Sequence, residues 1–252
     1  MTRSPKDVAP GFALAPPAES RGLLSDLELF VFTKPAIPTL IRFSSETERE
    51  NYRQRIVQRL GISVEKYAIL NIHRIGIEAP VQHVFRELLR WDAGSLFWPN
   101  HLATVERREG HLQHIRVYLL GGRRRVPGFR NGLFGLHDTP LFVMDAIKFQ
   151  EAPPSWDVDN ARYLLYECSG GYPIGIFATY VRSPIAAEAE VEPTQAFFVV
   201  GFNIHGRREW SGRHLVTATW EKIHNRVTAN ILNRFKMLCE ANFQEVRTGR
   251  AL

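Results

Sequence analysis

The side chains with chemistry to offer are spread along strand-like segments rather than gathered in one motif. His73 alternates with Ile75 and Ile77 in AILNIHRIGIEA, so an imidazole shares a strand face with isoleucines. If that face points inward, His73 is either a core histidine satisfied by hydrogen bonds or a base set against a cavity. Asp145 alternates with Leu141, Val143 and Ile147. A carboxylate on an apolar face is costly unless paired. Asp145 therefore either meets an arginine or carries a raised pKa suited to proton chemistry. Tyr118, Tyr166 and Tyr180 come from three different strand-like segments. Each presents a hydroxyl from an apolar body and suits the holding of a carbonyl or phenol. Arg116 shares a strand face with Tyr118. Inside a cavity its guanidinium would steady an enolate or hold a carboxylate; on the solvent side it is ordinary surface. The candidate catalytic set is His73, Asp145, Tyr166, Tyr180 and Arg116. The candidate ligand contacts are Tyr118, Asn203, Phe134, His137 and Trp98.

Other chemistries find little support. The chain has no GxGxxG, Walker loop, HExxH or GxSxG. His111 and His114 are spaced HxxH on a strand-like segment, which turns them to opposite faces, so no metal is expected. Two cysteines, Cys168 and Cys239, cannot build a disulfide framework or a multi-cysteine zinc site, and both sit in apolar patterns that suit buried thiols. A formal charge of +6 and a pI near 9.5 raise the question of a nucleic-acid partner. The one dense basic cluster, Arg123 to Arg125, lacks a reader motif or an aromatic platform, so a solvated loop or a clamp for an acidic small ligand fits it better. No apolar run approaches the roughly 18 residues needed to span a bilayer, and the start has no secretory apolar core, so a cytoplasmic protein is expected.

These side chains need elements to hold them. The first 20 residues, rich in Pro and Ala, read as a disordered arm. Leu23 to Phe43, broken by Pro35 and Pro38, reads as a short strand or extended segment. Ser44 and the acidic residues after it mark a helix start, and Gly61 marks its stop. From Tyr67 the alternation of a strand sets in. Pro80 opens a helix bearing Val81, Val84, Phe85 and Leu88 on one side. ATVERREG and HLQHIRVYLL pair as a hairpin. Gly121 to Pro140 is a long irregular connection, placed to act as a lid. LFVMDAIKFQ, RYLLYEC, IGIFATYV and QAFFVVGFNIH are further strands. Thr219 to Phe243 is a long helix with an apolar stripe from Trp220 to Phe243. One long amphipathic helix after a run of strands needs a curved sheet to lie in. The expected organisation is an arm over 1–20, an extension with a helix over 21–66, and one domain over 67–245.

The order of elements, together with Ile77-Glu78-Ala79-Pro80, Val84-Phe85, Trp91, Trp98-Pro99 and Val105-Glu106, resembles the START-like helix-grip superfamily, also called SRPBCC. Its members include polyketide cyclases, Bet v 1-type proteins and lipid-transfer domains. The resemblance covers about Tyr67 to Phe243 and has no counterpart for the extension ahead of it. It implies an α+β fold, with a curved antiparallel sheet of six or seven strands around the C-terminal helix and an apolar cavity between them. It further implies an aromatase/cyclase-like enzyme acting on a polyketide-type carbonyl substrate, without metal or cofactor. The proton would be taken by His73 or Asp145, and Tyr and Arg donors would hold the oxyanion. A carrier or sensor of a lipid or aromatic ligand, and an interaction module using the extension and the basic loop, are the other readings. A hydrophobic small molecule is the expected partner and a homodimer is left open; neither a specific nucleic acid nor a membrane span is expected.

Overall fold

The computed structural model describes residues 22–61, 67, 69–89, 98–99, 103–107, 114–119, 142–153, 155, 160–169, 174–183, 193–202 and 215–248. Seven strands form one antiparallel sheet: β1 (Ile69–Ile77), β2 (Ala103–Arg107), β3 (His114–Leu119), β4 (Phe142–Gln150), β5 (Arg162–Ser169), β6 (Ile174–Arg182) and β7 (Thr194–Phe202). Their order is β1-β7-β6-β5-β4-β3-β2, so β7 returns across the sheet to pair with β1. The helices are α1 (Leu23–Asp26), α2 (Glu46–Leu60), α3 (Val81–Leu89) and α4 (Leu215–Arg247). Helix α4 lies on β1 and α3, and α3 reaches β6 and β7. This is the helix-grip arrangement, with a longer final helix than the apolar stripe alone marks out.

The burial of α4 is uneven. Ile231, Leu232, Phe235 and Cys239 are buried, whereas Ile223, counted in the same stripe from the sequence, is 45% exposed. The seated part of the helix is therefore its middle. There it meets Ile69, Ile75 and Ile77 of β1 and Val84, Phe85 and Leu88 of α3 in one apolar cluster. Alternation along β1 holds as read: positions 69, 73, 75 and 77 are buried on the helix side and Arg74 is exposed.

The opposite face of the sheet is buried too, and the extension does the covering. Ile72, Tyr163, Leu165, Ala178, Tyr180, Phe197 and Val199 form a second cluster with Leu60, and Tyr52 of α2 packs on it. Helix α2 starts as its sequence suggests. Ser45 Oγ accepts from the Glu48 amide at 3.1 Å, and Glu48 Oε2 accepts from the Ser44 amide at 2.7 Å, a reciprocal cap on the helix start. It stops at Gly61, whose φ of 68° suits glycine, and Lys148 Nζ donates to the Leu60 carbonyl at 3.2 Å. The sheet is thus the middle of three layers.

Residues 23–43 differ from expectation. Instead of starting as a strand, α1 runs on into a π-helical turn over Leu27–Phe32. Proline spacing had suggested extended chain throughout. Burial of Phe30, 0% exposed against α4, favours a coil of helix instead. Asn230 Nδ2 donates to the Phe30 and Thr33 carbonyls at 2.9 and 3.0 Å, so the π turn's spare acceptors have a partner. Beyond Pro35 the chain is extended and bridges β1 at Leu40 and His73. The Ile41 amide donates to the Ile72 carbonyl and the Arg74 amide to the Thr39 carbonyl, each at 2.8 Å. This strap covers the free edge of β1, which would otherwise offer unpaired backbone groups to another chain. It carries the chain from the α4 side of the sheet to the α2 side.

Two glycines make room for one ring. A Cβ on Gly175 would overlap the Tyr67 ring, and one on Gly201 would lie 2.8 Å from Tyr67 Cδ2. Gly175→Ala is expected to lower stability by about 1–3 kcal/mol through overpacking. In a Tyr67→Ala background the same change should cost little, a non-additivity that urea unfolding of the four-member cycle reads directly.

Candidate functional site

The grip side of the sheet is a wall of cross-strand rows. One row reads His73, Phe198, Thr179 and Leu164 across β1, β7, β6 and β5. The next reads Asn71, Val200, Phe177 and Tyr166. Paired residues in an antiparallel sheet point to the same side, so both rows face α4. Aromatic rings dominate the middle. Tyr166 stacks on Phe177 with centroids 5.8 Å apart and planes 24° apart, and Phe177 meets Phe198 edge-on at 5.5 Å and 89°. Such offset and edge contacts fix ring orientation as well as bury area.

His73 is fully buried and committed at both nitrogens. Thr39 Oγ1 lies 2.8 Å from Nδ1, and Asn225 Oδ1 lies 3.1 Å from Nε2. An amide oxygen only accepts, so Nε2 carries the proton and Nδ1 accepts from the Thr39 hydroxyl. Burial pushes its pKa down to about 4, opposed by the bond to Asn225. His224 on α4 is likewise lowered to about 4, by burial first and by nearby His73 second. Two neutral imidazoles thus sit where strap, edge strand and long helix meet. Sequence reasoning held both readings of His73 open; the hydrogen bonds favour the core histidine.

The remaining expected residues divide between the faces. Tyr166 joins His73 on the grip side, and Trp98 packs, half-buried, against the same apolar cluster. Tyr180 points the other way, against Phe197 at 5.3 Å in the outer cluster. Asp145 is exposed and stands opposite Glu167 in the register, whereas its neighbour Met144 is buried in the grip-side core. Alternation in β4 is therefore in the opposite phase to the one expected, and the carboxylate goes to the outer side, where water offsets its charge. Arg116 and Tyr118 lie in β3, paired with Glu106 and Thr104 of β2, and Arg116 also with Val143 of β4. Asn203, Phe134 and His137 lie outside the described residues. His73, Tyr166, Tyr180 and Asp145 do not converge on one bound atom.

Two polar side chains on the grip side were not singled out as site residues. Thr179 is 2% exposed and Asn71 is 5% exposed, yet among the described residues Thr179 Oγ1 and Asn71 Nδ2 have no hydrogen-bond partner. Asn71 shares the His73 face and was legible from the alternation of β1. Thr179, inside the apolar run IGIFATYV, was not, because that run gives no phase. Strand spacing and rise place the two about 12 Å apart, two strands across and two residues along. Cys168 lies on the same face farther along β5, its thiol pushed up to about 12 by burial and then by Glu167 and Asp145, so it is a neutral group and no nucleophile. Among the described residues no cluster of His, Cys, Asp and Glu could hold a metal ion, and no helix is long and apolar enough to cross a membrane.

No protein-family model matches the chain, and no curated protein matches it in sequence. Forty-six solved chains match in structure. The ZhuI aromatase/cyclase from Streptomyces sp. R1128 is 13% identical with a TM-score of 0.39, over 73% of this chain and 99% of that one. A protein from Arthrobacter aurescens is 16% identical with a TM-score of 0.35, over 73% and 90%. A norcoclaurine synthase point mutant from Thalictrum flavum, in complex with a transition-state analogue, is 8% identical with a TM-score of 0.30, over 65% and 94%.

The buried imidazoles set a pH dependence. Unfolded, His73 titrates near 6.5; folded, near 4. Between these values the unfolded chain holds protons that the folded chain does not. Stability is therefore fully present above about 6.5 and falls as pH drops toward 4. One such imidazole accounts for roughly 3 kcal/mol over that window, with His224 adding in the same direction. Urea unfolding at several pH values should show this slope, and His73→Asn should remove its share; an unchanged slope would contradict the assignment.

Proposed function

We propose that the protein binds a mainly apolar small molecule between the grip side of its sheet and α4, as a carrier or sensor. The observation that carries this reading is the pair of orphaned polar atoms, Thr179 Oγ1 and Asn71 Nδ2, in an aromatic and aliphatic wall. A buried donor left unmade costs about 1–3 kcal/mol. Neutral oxygen atoms of a ligand would satisfy both, while its apolar body met Phe177, Phe198 and Tyr166. Ligand pockets have this composition: mostly apolar lining with a few placed polar groups. The resemblance of the sequence to START-like proteins points the same way.

An aromatase/cyclase-like enzyme is the second reading, favoured by the phenol of Tyr166, which stands on the same face as the orphaned pair. Enolisation of a carbonyl needs a base whose pKa lies near the working pH. His73, held at both nitrogens and lowered to about 4, is poorly suited, and Asp145 is on the other face. The geometry therefore supports binding more directly than turnover.

Native mass spectrometry of the purified protein should reveal a co-purifying small molecule. Thr179→Val keeps the shape and removes the orphan. It should raise the stability of the ligand-free protein by about 1 kcal/mol and weaken ligand retention. Retention unchanged in both Thr179→Val and Asn71→Leu, with the fold intact, would remove the basis of the proposal. Turnover of a carbonyl substrate that is lost in Tyr166→Phe would decide for the enzyme.

A further inference from the structure

Among the described residues the sheet buries one cation on its grip face. Arg162 of β5 stands opposite Val181 of β6, Val181 opposite Ala196 of β7, and Ala196 opposite Ile75 of β1. Val181, Ala196 and Ile75 belong to the apolar cluster shared with α3 and α4, so Arg162 projects to that same side. It is 8% exposed. We propose that Arg162 anchors the carboxylate of the ligand held between the sheet and α4, which makes that ligand an apolar carboxylic acid. The inference rests on the interior site proposed above and names the class of molecule that fills it.

The guanidinium is held but not used up. Nη1 donates to the carbonyl and to the side-chain oxygen of Asn160, at 3.1 and 3.0 Å. Asn160 has a φ of 49°, a left-handed conformation that asparagine tolerates, and this turn brings both oxygens to one nitrogen. Nε and Nη2 have no hydrogen-bond partner among the described residues. Their N–H groups run side by side along one edge of the plane, the fork that takes both oxygens of a carboxylate. No ion pair joins Arg162 to an acid among the described residues. Burial lowers its pKa from the ordinary arginine value, and the field of exposed Glu151 opposes that. The group stays charged all the same. A cation short of water, fixed in orientation and unpaired, is completed by a bound anion. A phosphate monoester fits less well, since its charge of nearly two would leave one unit unmatched.

The orphaned hydroxyl lies next to this cation. Thr179 faces Leu164, and Arg162 is the next residue of β5 on the same face. Thr179 and Arg162 are therefore diagonal neighbours, about 7–8 Å apart. A carboxylate on the free edge of Arg162 stays outside the two inner rows, where a charge would have no partner. The apolar chain behind it passes Thr179 and then the rings of Phe198 and Phe177 toward Asn71. A hydroxyl or carbonyl oxygen on that chain meets Thr179 Oγ1 or Asn71 Nδ2. Cation, hydroxyl, rings and amide thus follow one another along the wall in the order an oxygenated long-chain acid requires.

The probes are ω-hydroxydodecanoate and its methyl ester, which keeps chain and hydroxyl and loses the charge. Calorimetry on the full chain should show the acid binding at least about tenfold more tightly than the ester. Arg162→Met, with native circular dichroism, should remove that preference. Arg162→Lys keeps the charge without the fork; it should narrow the preference several-fold and decides the matter should the methionine variant fail to fold. Arg55→Met, exposed on α2, should change neither affinity. A preference undiminished in the Arg162 variants would overturn the proposal. Equal binding of acid and ester, both weakened by Thr179→Val, would overturn it and leave the interior site standing. Binding of neither probe would overturn it too, and would take the interior site with it only if native mass spectrometry also finds no retained molecule.

Discussion

The imidazole of His73 touches a hydroxyl 34 residues before it and an amide 152 residues after it. Through these two bonds the strap, the edge strand β1 and the long helix α4 are fixed to one another. Each link has a physical reason. The edge strand needs its open backbone covered, and the strap supplies amide and carbonyl partners at Ile41 and Thr39. The imidazole must find a donor and an acceptor once it leaves water, and Thr39 and Asn225 are the pair that does it. Asn230 and Asn233 extend the same junction along α4, donating to the Phe30, Thr33 and Ile37 carbonyls, and the Ile37 amide returns a bond to Asn233 Oδ1. The extension is thereby tied into the domain by buried polar contacts from one side and by α2 from the other.

Because the strap turns around β1, the sheet has no bare central face. This explains what could and could not be read in the chain. In β1 one face meets α4 while Arg74 stays exposed, so alternation gave the correct side for His73 and Asn71. In β5, β6 and β7 both faces are buried, and the segments read as nearly continuous apolar runs. Such a run reveals a strand but hides its phase. Tyr166 and Tyr180 therefore looked equivalent, although one stacks on Phe177 and the other on Phe197 on the far side. In β4 the error was of phase as well: Asp145 was grouped with apolar residues on what turned out to be the outer side, and the register break between Ala146 and Lys148 means that no single alternation describes the strand.

The helices were legible for a different reason. Their signals are local: Ser45 with Glu48 at the start of α2, Gly61 at its end, Pro80 ahead of α3, and unbroken polar and apolar spacing in α4. The π turn over Leu27–Phe32 was not, because its stability comes from Phe30 in the core and from Asn230, 200 residues away. No window around Pro35 contains that partner. What the sequence lacked was knowledge of which distant side chain would take the spare carbonyls.

The two faces also differ in the charge they can accept. The rows through His73 and Asn71 hold no side chain that is ionised near neutral pH, since burial lowers the His73 imidazole to about 4. An ionised ligand placed there would be a buried charge without a partner, which costs far more than the orphaned hydroxyl and amide would return. Neutral oxygen atoms face no such penalty. Beneath α2 the lining is different, since Arg55 and Arg182 stand at a cleft that opens to solvent. One sheet, buried on both sides by different parts of the chain, thus holds neutral side chains in these two inner rows, while the buried Arg162, opposite Val181, brings a guanidinium to the same face farther along β5.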